Sequence, residues 1–128
     1  MKMTKSLTQL SSNVKFFLEL QNQLKVLHWQ TKGYSRHIAF GNVYEKFDDL
    51  IDNFIEVSMG KYGRFSLNDE NLKIKNISDL NLSSFIKETQ TFLIDLSNKL
   101  EKEDVDLLAI RDEMLIEINK LSYLLTLE

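Results

Sequence analysis

Cysteine and proline are both absent from the 128-residue chain, and glycine occurs only four times. Without thiols there can be no disulfides, thiolate zinc sites or cysteine-held iron–sulfur clusters, so any metal must be held by imidazole and carboxylate. Glycine is confined to Gly33, Gly41, Gly60 and Gly63, which leaves long stretches free of helix breakers, and no strand-like alternation is sustained. An all-helical chain follows. No apolar run reaches the roughly 18 residues needed to span a bilayer, and the opening "MKMTKSLTQL" lacks the apolar stretch of an export signal. The expectation is a soluble cytoplasmic protein with no membrane partner. A net charge of −3 and the lack of a basic arm argue against a nucleic-acid partner.

What is present suits one domain over residues 1–128, since 43% apolar residues can fill a single core at this length. The first helix is expected over about residues 6–31, with Ser6 and Gln9 as a capping box and Leu10, Val14, Phe17, Leu24 and His28 along one stripe. Gly33 supplies a turn. The second helix is expected from Ser35 as N-cap to Gly60, its apolar arc running from Phe40 through Val43, Phe47, Ile51 and Phe54. Residues 60–82 read as one long connection, of a length that usually carries a short element of its own or a function. A third helix starts near Ser83 or Ser84 with Phe85, Phe92, Leu96 and Leu100 as its seam. A fourth follows Asp104 with Leu107, Ile110, Met114, Ile118, Leu121 and Leu125. Two helix pairs joined by a long crossover between helices two and three make a ferritin-like four-helix bundle.

Several polar residues fall on or beside these apolar faces. His28 is placed by azimuth in the middle of the helix-one stripe, either as a core histidine bonded to Gln21 or a backbone carbonyl, or as a metal ligand. Trp29 beside it reads as packing. His37, Asp48 and Asp52 line one edge of helix two, and Asp52 with Glu56 at i, i+4 aims two carboxylates at one point. Glu45 and Asp49 read as solvated groups. Glu117 faces the apolar arc of helix four and needs a partner, with Arg111 as the structural choice and a metal as the other. Tyr44 and Tyr62 read as packing, and Arg64 either pairs with a helix end or binds an anion. His37 and Asp52 are fifteen residues apart, about 22 Å along a helix, so they cannot hold one ion within a chain. Two antiparallel copies of helix two about a two-fold axis would bring His37 of one to Asp52 and Glu56 of the other, twice per dimer.

The stretch "HWQTKGYSRH…YEKFDDLIDNFIE" resembles the miniferritins, or Dps proteins. In that family "HW" near the end of the first helix opens an intersubunit ferroxidase site. A second histidine follows, then fourteen residues, an aspartate, three residues and a glutamate. His37, Asp52 and Glu56 reproduce that spacing here, whereas the histidines are separated by eight residues instead of the usual eleven. The likeness is carried by residues 24–60, and the Lys-rich DNA-binding tail of some members is missing. The string extended to "GKYGR" also looks like small ferritin-like proteins of unknown function encoded by bacteriophages, which would put the protein in a host cytoplasm or a virion.

The resemblance implies iron as the metal, with His28, His37, Asp52 and Glu56 as ligands and Asp48 and Glu117 as further choices. His28 and His37 would give neutral nitrogen donors, Asp52 could bridge two metals and Glu56 would offset the charge of Fe(III). Imidazole with carboxylate and open positions suits Fe(II) better than calcium or magnesium. The implied function is a Dps-like ferroxidase acting in a homo-oligomer, either a dimer unit or a larger cage. The alternative is a non-enzymatic helical virion or host-interaction protein that keeps the bundle without the chemistry.

Overall fold

The computed structural model describes residues 2–127, with side chains over residues 7–127. It contains four helices, α1 (Lys2–Gln30), α2 (Tyr34–Tyr62), α3 (Leu82–Lys99) and α4 (Val105–Leu124), and a 3₁₀ turn at Ile77–Asp79 within the long connection. The described residues include no strand, and no described helix is long and apolar enough to cross a membrane.

Helix α1 buries Leu10, Val14, Phe17, Leu20, Leu24 and Leu27 at helical spacing. It is already helical from Lys2, so Ser6 does not start it. Ser6's side chain lies outside those described, and the Gln9 amide donates to Asn13 instead of completing a capping box. Helix α2 begins after Gly33 rather than Ser35, because the corner from Thr31 to Gly33 is tight and Gly33, in extended conformation, already accepts the first ladder bond from His37 N–H. At its other end α2 passes through Gly60 and stops at Gly63, whose φ of 100° suits only glycine. A glycine inside a helix costs about 1 kcal/mol. That cost is met here because the next two residues, Lys61 and Tyr62, are both fastened to Asp104.

Helix α3 starts at Leu82, with the Asn81 side chain accepting from Ser84 N–H, and α4 follows Asp104 as expected. The core is filled by Phe17, Phe40, Phe47, Phe54, Leu93, Leu96, Leu107, Met114 and Ile118, all fully buried. Burial of each such side chain contributes about 1.5–3 kcal/mol. Phe17 meets Phe54 edge-on at 5.2 Å, and Phe16 stacks on Phe92 at 3.5 Å, which joins α1 to α3. Helix α2 packs between α1 and α4, and α4 packs on α3.

The connection between α2 and α3 is laid along α1. Glu70 pairs with Lys15, both backbone groups of Lys75 bond the Gln23 side chain, and Asn76 and Ile77 bond Gln30. The chain therefore returns along α1 towards its C-terminal end before α3 begins. Arg36, near the start of α2, donates to the Leu125 carbonyl just past α4. The corner between α1 and α2 is thereby held from two sides.

Candidate metal centre

The short corner brings the two histidines face to face. Their rings stack with centroids 3.9 Å apart and planes 18° from parallel. His28 Nδ1–H donates to the backbone carbonyl of His37 at 2.8 Å, and His37 Nδ1–H donates to that of His28, also at 2.8 Å. The carbonyl of His28 lies in the last turn of α1, where the helical ladder runs out of donors, so His37 also caps the helix. A carbonyl only accepts, so each Nδ1 must carry its proton, and in a neutral ring Nε2 is then a lone-pair donor. Neither Nε2 bonds a described residue, and no described buried side-chain nitrogen or oxygen lacks a partner, so both nitrogens reach the surface.

The structural and ligand readings of His28 thus concern different nitrogens of one ring. Metal-binding histidines commonly donate their other N–H to a carbonyl in this way. His28 itself is half-buried, at the α2-facing edge of the stripe, because Leu20, Leu24 and Leu27 pull the centre of the buried face away from it.

Gly41 completes the corner. A Cβ built there would lie 2.8 Å from Cε1 and 3.0 Å from Nδ1 of His28, so the imidazole edge occupies the space that any other residue would fill. A mid-helix glycine is a visible signal in the sequence, and this contact is its reason. Trp29 is 65% exposed instead of packed. Lys25 Nζ stands 5.3 Å from its ring and 5.3 Å from that of the half-buried Tyr44.

The carboxylates are disposed differently. Asp52 and Glu56 are exposed on α2 and make no hydrogen bond or ion pair with a described residue. They lie four to five turns from His37, and no group of three or more His, Asp or Glu converges among the described residues. Asp48 is held by the Gln21 amide across the α1–α2 groove. Glu117 faces Lys46 at 3.6 Å and Lys120 at 3.9 Å rather than Arg111. Arg111 instead reaches the Leu93 and Ile94 carbonyls of α3 and the carboxylate of Asp112. Arg64 is exposed.

A second polar cluster lies near the far end of α2, at the start of α4. Asp104 is 1% exposed and accepts from Lys61 Nζ at 2.7 Å, Tyr62 Oη at 2.5 Å and Glu101 N–H at 2.8 Å. Burial pushes its carboxyl pKa up, but the hydrogen bonds from Lys61 and Tyr62 outweigh that and hold it below the usual carboxylate value. Tyr62, assigned to packing from sequence, is pushed up to about 12 by burial and by its bond to Asp104. This cluster fixes the α3–α4 corner, which has neither glycine nor proline to turn it.

The molecule is thus an all-helical bundle with a paired-imidazole corner at one end. The chain belongs to a family of unknown function, DUF5856, matched over residues 28–125. The matched region includes both histidines, Asp52 and Glu56. No curated protein and no solved structure matches the chain.

Proposed function

We propose that the chain is a ferritin-like, Dps-like ferroxidase, taking Fe(II) as substrate at a site completed between two copies. The observation that carries this reading is the division of ligands. Two imidazole Nε2 donors stand together and open at one end of the α1–α2 face, while Asp52 and Glu56, towards the other end, have no partner among the described residues. An antiparallel second copy would superpose the two ends. The connection returning along α1 agrees with the ferritin-like topology.

The donor set suits the substrate. Neutral nitrogens bind Fe(II), and the carboxylates offset the charge gained as each ion loses an electron. With hydrogen peroxide as oxidant, two Fe(II) supply two electrons, which together with two protons convert the peroxide to two waters. In a closed cage the ferric product would be retained. Protons compete with a metal for imidazole and carboxylate ligands, so uptake should weaken as the solution is acidified.

Aerobic addition of Fe(II), followed in the near ultraviolet, tests the reading. The parent should oxidise iron well above the buffer rate, and Asp52→Asn should slow it by at least about tenfold. Equal rates for the two proteins would remove Asp52 from the site. One observation favours a non-enzymatic reading: the histidines close the α1–α2 corner through bonds to each other's backbone, and Trp29, Tyr34 and Ile38 are exposed beside them as a surface for a partner. Oxidation no faster than buffer would select that reading.

A further inference from the structure

We infer that His28, His37 and Gly41 form a preorganised donor clasp, in which each imidazole locks the other as its Nδ1–H tautomer and Gly41 is the positioning residue that admits the His28 ring. The lock itself stands on the reciprocal bonds alone. Its consequence for iron rests on the ferroxidase reading.

Free histidine exchanges readily between its two neutral tautomers, so an unheld ring offers either nitrogen. Here the two Nδ1–H groups are committed to carbonyls at 2.8 Å, each on the other histidine's backbone. Reversing either tautomer would set a nitrogen lone pair against a carbonyl lone pair and lose the bond. Because the rings are stacked at 3.9 Å, neither can turn without disturbing the other. Any metal therefore meets two Nε2 donors whose protonation and orientation are settled beforehand, and Nδ1 ligation is excluded.

Gly41 makes this possible by what it lacks. Carbon atoms in contact sit about 3.5–4.0 Å apart, so a Cβ at 2.8 Å from His28 Cε1 would push the ring by roughly 0.7 Å or more. The ring has nowhere cheap to go, since one face is stacked on His37 and its Nδ1 is anchored. Gly60 gives the control on the same helix, because a Cβ there meets nothing within 4 Å. Alanine at either position improves the helix; only at position 41 does it strike the imidazole.

The test is nitrogen-15 NMR of the histidine side chains in the metal-free full chain at about pH 8, above the ordinary imidazole range, with anaerobic Fe(II) titration as a second readout. The parent and Gly60→Ala should both show two rings protonated at Nδ1 and bare at Nε2. Gly41→Ala should keep its helical circular dichroism, lose that pattern in both rings and weaken Fe(II) binding by about 10–100-fold. A parent spectrum with either ring protonated at Nε2, or averaged between tautomers, overturns the lock whatever the variants do. A Gly41→Ala protein that keeps the parent pattern, or loses it with unchanged Fe(II) affinity, overturns the positioning role. If the parent shows the locked pattern yet binds no Fe(II), the clasp stands and the ferroxidase reading falls.

Discussion

Asp104 carries its charge at 1% exposure because three donors converge on it, from Lys61, Tyr62 and the Glu101 backbone. Its folded pKa lies below the unfolded value of 3.8, so the stability it contributes is present above about pH 4 and is lost as pH falls through the folded pKa. The urea midpoint should therefore drop as pH falls below about 4, and Asp104→Asn should flatten that part of the profile. Near neutral pH the same substitution should cost about 3 kcal/mol, the low end for a broken buried pair, since Lys61 keeps Asp106. The alkaline side has the opposite sign. Tyr62 is raised from 10.0 to about 12, so its contribution is complete below pH 10 and is lost as pH rises towards 12. Tyr62→Phe should cost about 1.5–3 kcal/mol, the range for a bond to a charged group. Gly60→Ala, which meets no neighbour, should raise stability by up to about 1 kcal/mol.

Among the elements, α1 is fastened to α2 by the Phe17–Phe54 contact and to the long connection by Gln23. Phe54→Ala should cost about 3–5 kcal/mol by denaturant melt. Gln23→Leu should leave the helices intact while the Lys75 amide, deprived of its acceptor, exchanges hydrogen faster; unchanged protection there would show that the connection is held by other contacts. The number of helices and the start of α4 after Asp104 were legible because they depend on local period, although the Asp104 side chain caps nothing and is spent on Lys61, Tyr62 and the Glu101 amide. The end of α2 was not, since Gly60 is carried within the helix by residues fastened to Asp104, far along the chain. The half-burial of His28 in the single chain was not legible for a related reason: its azimuth follows from α1 alone, but Leu20, Leu24 and Leu27 decide which side of the stripe meets the core. Gly41 was given no role from sequence, although it falls inside the span expected for the second helix. The ring that requires it becomes apparent only once the α1–α2 corner is built.

For the whole molecule, the separation of His37 from Asp52 and Glu56 was legible from helix rise alone, and it makes oligomeric state the central question. The described chain brings its imidazoles together at one end of the α1–α2 face and leaves those carboxylates unpaired further along it. The direct measurement mixes a His28→Ala/His37→Ala protein with an Asp52→Ala/Glu56→Ala protein, confirms subunit exchange by native mass, and follows aerobic Fe(II) oxidation. Each parent variant should be inactive alone. After random exchange of equal amounts, half the dimers are mixed and each holds one intact site of two, so about a quarter of the wild-type rate per chain should return. Confirmed heterodimers that stay inactive while the wild type oxidises iron would contradict the shared site.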